Sequence, residues 1–246
     1  MFESMLRIRK RAAGRGPAAR IAFVCSVLLM TMAGCGLSAD LDHRKAPRQY
    51  IQFKQILLGL LMHVNRHNHF PPRAIADSQG KPLLSWRVAI LPFIDEQSLY
   101  NQFHLDEPWD SPNNKPLIAK MPSVFQDANR SSDGTTTYLA PYGKDLAWDD
   151  AHGMMKLPEF IDGISNTIML VEADNAHAVP WTKPDDLEVN LSKPFDGLAV
   201  KWADRSFILG FADGHLICAT RNTDPDTMKA LFTRDGAEPI DDTKIR

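Results

Sequence analysis

The chain has 246 residues, with 28 lysines and arginines against 30 acids and a net charge of −2. No basic surplus is available to neutralise phosphates, which argues against a nucleic-acid partner. The length suffices for one domain with its own core, even after loss of a leader.

Residues 1–35 read as an export signal. Arg7, Arg9, Lys10, Arg11, Arg15 and Arg20 form a basic leader, and the uncharged run Ile21–Gly34 follows. That run has the length of a secretory apolar region and falls short of the roughly 20 residues a membrane span needs. It ends in Met32-Ala33-Gly34-Cys35, which resembles a bacterial lipobox with methionine in the usual leucine position. The resemblance implies lipid attachment at Cys35. The competing readings are an ordinary signal peptide cut near Ala39 and an uncleaved anchor. Gly36 rather than aspartate follows the cysteine, which for a lipoprotein implies outer-membrane delivery. Removing the leader takes away six cations and one acid, leaving 22 against 29, a net charge of −7. Cys25 leaves with the signal and Cys35 carries the lipid. Only Cys218 then remains, so no internal disulfide is expected.

Residues 36–48 read as a polar tether, and 49–246 as a single domain. Tyr50, Phe53, Leu57, Leu60, Leu61 and Val64 recur at helical spacing, which predicts an amphipathic helix over Tyr50–His67, ended by Phe70-Pro71-Pro72. Leu83–Leu105 reads as a second helical region broken near Pro92, and Glu107–Leu117 as a loop. Weak strands are expected at Ser123–Phe125 and Thr135–Ala140, and a stronger one at Asn166–Ala173. Residues 174–200, with four prolines or glycines and many acids, read as a long surface excursion. Ser206–Thr220 reads as a hairpin, with Asp213-Gly214 as a two-residue structural turn. Asp224 as N-cap and Pro225 at the first helical position open a short C-terminal helix that Gly236 can close. The expected fold class is α+β: an N-terminal amphipathic helix packed on an antiparallel sheet, with a short C-terminal helix.

Seven segments also carry a family resemblance: FKQILLGLL with FPP, LLSWRVAILPFIDEQSLYNQF, EPWDSPNNKPLIAKMP, DGISNTIMLVEA, AVPWTKPDDL, FADGHL and ALFTRDGAE. In this order they resemble the prepilin-like planctomycete family called domain of unknown function 1559, over roughly Lys54 to Glu238. The resemblance implies a pilin-like fold and no established enzyme activity. The chain lacks the family's prepilin processing site, and the lipobox stands in its place. It also has Ala203 where many members carry a histidine ten residues before the Asp-Gly pair.

Candidate chemistry is sparse. His63 and His67 are four apart and could share one face toward a zinc ion, with His69 as a third ligand. Val64 follows His63 where a metalloprotease motif has glutamate, so the preferred reading is boundary and capping histidines at a helix C-terminus. Asp127–Gly134 alternates oxygen side chains, yet Ser132 and Tyr138 occupy the sixth and twelfth positions of a calcium loop, so it reads as a polar loop. Gly163-Ile164-Ser165 lacks the second glycine of a nucleophile elbow. Asp149-Asp150 and Asp185-Asp186 read as solvated acids; Glu172 and Asp174 are the acids expected to be partly buried. Trp86, Trp109 and Trp181 are read as packing residues, with a sugar-stacking surface as the alternative.

No catalytic residue, metal ligand or cofactor is expected. The sequence reads as a non-enzymatic, exported protein, membrane-anchored through its lipid on the periplasmic or outer-membrane face, acting on an envelope protein or polysaccharide. A small-ligand, carbohydrate-like receptor is the alternative, and a metal-dependent hydrolase a weaker one.

Overall fold

The computed structural model describes residues 48–127, 130, 133–199, 206–238, 240 and 245. The leader, Cys35, the tether as far as residue 47, and Ala203 lie outside the described residues.

The first helix, α1, spans Arg48–His67. Its residues are mostly unbranched helix formers, and Phe53, Ile56, Leu57, Leu60 and Val64 form a fully or nearly buried stripe. The prolines do not end it. Asn68 adopts φ 64°, and its N–H donates to the Val64 carbonyl at 2.7 Å, a left-handed C-terminal cap.

The predicted second helical region is mostly not helix. Pro82–Ser85 is a strand, β2, paired antiparallel with β1, Ala74–Ala76. Ser85 then caps α2, a single turn over Trp86–Ala89, by accepting from the Arg87 N–H. A 3-10 turn at Leu91–Phe93 contains Pro92, and α3 is another single turn, Gln97–Tyr100. Leu99 and Phe103 are buried, and Ile94 packs against the same cluster.

Ser123–Phe125 is a 3-10 turn rather than a strand, and its Phe125 carbonyl accepts from the Thr136 hydroxyl. The expected strand over Thr135–Ala140 divides among partners. β3, Thr135–Thr136, pairs with β7, Val179–Pro180; β4, Tyr138–Leu139, pairs with β6, Ile168–Glu172; and β5, Pro141–Tyr142, pairs in parallel with β8, Leu187–Glu188. Residues 174–200 are therefore not a surface excursion. They contribute β7 and β8, and they bury Trp181, Thr182, Asp186, Leu187 and Leu198.

The main sheet has the order β10-β9-β6-β4 and is antiparallel throughout, with β9 at Ser206–Phe211 and β10 at Leu216–Thr220. Every residue of β6 and β9 is buried, because both faces of the sheet are covered. Tyr138, Leu170, Ile208 and Leu216 share a cluster with α1. Leu139, Val171, Phe207, Leu209 and Phe211 share another with Met228, Leu231 and Phe232 of the last helix, α4, Pro225–Phe232. Gly210 lets α1 approach the sheet: a Cβ there would sit 2.9 Å from Leu57 Cδ1 and 3.3 Å from Leu170 Cβ. The architecture is α+β, an antiparallel sheet with α1 on one face and the short C-terminal helix α4 on the other.

Asp224 caps α4 by accepting from the Thr227 N–H at 3.0 Å, and Pro225 takes its first turn. Gly236 does not close it. The chain turns extended at Thr233, which bridges to Leu146.

Candidate functional site

Four groups of polar side chains merit a chemical reading. The first is the β9–β10 turn. Asp213 and Gly214 lie in it, but the loop has three residues, Ala212–Gly214. Phe211 N–H donates to the His215 carbonyl at 3.0 Å, Gly214 N–H donates to the Phe211 carbonyl at 2.9 Å, and Gly214 alone of the three has positive φ, +89°. This is a type I turn closed by a left-handed glycine, not a two-residue turn. Asp213 accepts from the Ser165 hydroxyl at 2.8 Å, from the His215 N–H at 2.9 Å and from His215 Nδ1 at 2.6 Å. Lys54 of α1 donates to the Gly214 carbonyl at 2.9 Å.

Serine, histidine and aspartate thus meet at one place, in the wrong order for nucleophilic catalysis. A nucleophile needs the histidine between it and the acid; here the carboxylate lies between serine and histidine. Partial burial would raise the Asp213 pKa, but hydrogen bonds from His215 and Ser165 outweigh it and hold the carboxyl below its ordinary range. A carboxylate held so is a weak base. The cluster fastens the turn to α1 and to the loop before β6.

The second group is the histidines of the α1 terminus. Their rings lie close: 4.4 Å between His63 and His67 centroids, 5.5 Å between His63 and His69, and 6.0 Å between His67 and His69, with Phe93 edge-on at 5.5 Å from His63. His63 Nδ1–H donates to the His69 carbonyl at 3.0 Å, and His69 Nδ1–H to the Phe70 carbonyl at 2.7 Å. Among the described residues, no group of three or more His, Cys, Asp or Glu is arranged to hold a metal ion. Burial, with smaller contributions from the neighbouring histidines, lowers the His63 pKa to about 4 despite its backbone hydrogen bond.

That depression has a signed consequence. The unfolded chain, with an ordinary histidine near 6.5, binds the proton more readily, so stability is lost as pH falls from about 6.5 toward 4. His63→Phe removes the titration and keeps an aromatic ring against Phe93. Urea unfolding at neutral pH and near pH 4.5 should show the native chain losing about 1–3 kcal/mol more than the variant. Equal losses in the two proteins would refute the assignment.

The third group was missed by sequence reasoning. Arg87 and Asp186 form an ion pair at 2.6 Å with both side chains wholly buried. Asp186 Oδ1 also accepts from the Ala140 N–H at 2.9 Å and the Trp86 indole at 3.2 Å. Arg87 donates to the Tyr138 carbonyl through Nε and Nη2, and to the Ser85 hydroxyl through Nη1. Burial pushes the carboxyl up from its ordinary range, and Arg87 with the two N–H donors pulls it back. Asp186 is therefore no solvated acid, contrary to the reading of the Asp185-Asp186 pair. The available signal was Arg87 itself, a cation inside the apolar run LLSWRVAIL. Its role is to join α2, β4 and the segment after β7.

The fourth is a cleft of about 240 Å³ between the β1–β2 hairpin and residues 147–155. Ala74, Ala76, Pro82 and Trp148 form its walls, and Arg73 lies beside it, paired with Asp150 and stacked 4.2 Å above the Tyr142 ring. Its volume is below the ~300–1,000 Å³ common for ligand pockets. The other acids are also engaged: Glu172 is buried in β6, and Asp174 caps the 3-10 turn Asn175–His177. Trp86 and Trp181 are fully buried and Trp109 is half-buried, so packing is their observed use. Cys218 is half-buried and forms no disulfide among the described residues.

These features define an α+β domain whose polar clusters brace its own backbone. Residues 50–153 match the family model described as a protein of unknown function, DUF1559, and that match supports a DUF1559 assignment for this part of the chain. No curated protein matches the chain, and no solved structure does.

Proposed function

We propose that this is a non-enzymatic, lipid-anchored protein of a bacterial cell envelope, of planctomycete type, whose pilin-like domain acts through contacts with an envelope protein or surface polymer. The observation that carries the reading is the order of parts in the sequence: a basic leader, an uncharged run, Met32-Ala33-Gly34-Cys35 and then, thirteen residues on, the amphipathic α1. Two features support it. A long helix laid on an antiparallel sheet is the arrangement the pilin-like reading requires. The cluster of Ser165, Asp213 and His215 has a geometry suited to holding a turn. No described helix is long and apolar enough to cross a membrane.

The lipid is tested by Cys35→Ser. Metabolic labelling with a radioactive fatty acid should mark the native chain in the membrane fraction and leave the variant unlabelled. Label that persists in the variant would dispose of Cys35 as the attachment point.

A further inference from the structure

The buried side of α1 accounts for only part of its apolar residues. Ile51, Leu58 and Met62 are the helix's exposed large hydrophobic residues, at 50%, 40% and 45% exposure. Their spacings of seven and four place them on one narrow line along the helix. Arg48 lies three residues before Ile51 and Arg66 four after Met62, so both exposed arginines border that line, with exposed Gln55 between them. The helix contains no aspartate or glutamate at all. It is a cationic, apolar-faced rod in a chain whose mature form is net acidic. Asp213, the carboxylate that acts on Lys54 at the helix flank, is already engaged by Ser165 and His215.

This combination is that of an interfacial helix: a short apolar stripe bordered by arginines, able to sink ~5–10 Å into the headgroup boundary while its cations meet anionic lipid. A second copy of the chain is the poorer occupant. Three half-exposed side chains offer far less than the ~800 Å² per partner of a standard protein interface, and Arg48 and Arg66 are identical in both copies. Among the described residues the other exposed large hydrophobic side chains, Met154, Leu157 and Ile161, belong to a segment that carries Glu159 and Asp162, so that surface does not suit an anionic partner.

We propose that the outward face of α1, along Ile51, Leu58 and Met62, lies on the anionic lipid surface to which the chain is tethered. This rests on the lipid anchor above and adds to it: the lipid sets the distance from the membrane, and α1 sets the orientation. Twelve residues, 36–47, separate Cys35 from Arg48. Fully extended they reach at most about 45 Å, so the tether holds α1 within reach of the bilayer.

The test uses the full chain, processed in an export-competent host and reconstituted into vesicles with brominated acyl chains. One set contains phosphatidylethanolamine with phosphatidylglycerol, the other phosphatidylcholine alone. In Leu58→Trp the added indole should shift to the blue and lose roughly half its emission in the anionic vesicles, as a ring seated ~5–10 Å deep would. It should lose less in phosphatidylcholine, and less when Arg48 and Arg66 are both changed to glutamine. The indole of a separate Lys144→Trp variant should be unaffected, because Lys144 is 88% exposed and remote in sequence from α1. Sedimentation of the vesicles reports the anchor independently. Leu58→Trp protein that sediments with its added indole unquenched overturns the helix orientation and leaves the anchor standing; protein that does not sediment overturns both. Equal quenching in the two lipids overturns the anionic preference, and concentration-dependent cross-linking between copies through residue 58 replaces the membrane with a second chain.

Discussion

Asp186→Ala is expected to destabilise the domain by about 3–5 kcal/mol, because it strands the Arg87 guanidinium in the interior without its counter-charge. The loss extends past one ion pair. The Ala140 N–H and the Trp86 indole also lose their shared acceptor. Typical domain stabilities are about 5–15 kcal/mol, so a single substitution should move the urea midpoint by a large fraction of its value. The double variant Arg87→Met, Asp186→Leu separates the charge from the packing. Removing both charges together should recover most of the loss, since a buried pair often does little better than well-packed apolar side chains. A double variant as unstable as Asp186→Ala would mean that the hydrogen bonds to Tyr138 and Ser85, rather than the charge, hold the segments together.

Phe53→Ala should be comparably severe, about 3–5 kcal/mol. Phe53 is fully buried on the inner face of α1 and meets the Tyr138 ring edge-on at 5.0 Å. Its neighbour Gln52 accepts from the Tyr138 hydroxyl at 2.9 Å and donates to the Ser123 and Gln126 carbonyls. Residues 52 and 53 therefore dock α1 onto β4 and onto the turn at Ser123–Phe125. Equilibrium urea unfolding measures the loss. An effect below about 1 kcal/mol, the range of surface substitutions, would show that α1 is not held on the sheet by this stripe.

The parts legible in the sequence are those whose signals are local. The α1 stripe repeats every three or four residues, and the Asp-Gly hairpin lies between two apolar runs. The N-cap of α4 is Asp224 directly before Pro225. Each of these is specified within about twenty residues of chain. The segments misread are those whose partners are remote. Asp186 reads as a surface acid beside Asp185 because its cation lies 99 residues earlier. Residues 174–200 read as an excursion because their prolines and acids obscure the two-residue strands β7 and β8, which take their register from residues 135–142. Leu83-Leu84-Ser85 carries an apolar pattern too short to distinguish strand from helix, and pairing with β1 decides it. The Asp213 cluster was half legible. The turn could be read from Asp-Gly, but Ser165 arrives from 48 residues away to complete it.

The same distinction bears on function. The lipobox resemblance of Met32–Cys35 is a local signal, whereas a partner surface is assembled from remote segments. The proposed anchor is accordingly the most exposed part of the account. It is tested most directly by intact-mass and N-terminal peptide measurements on the chain extracted from native membranes. A mature chain beginning at Cys35, heavier than its residues by the mass of a diacylglyceryl group with or without a further acyl chain, is the predicted result. A soluble chain that retains Met1, or one cut near Ala39 with no lipid, would contradict it.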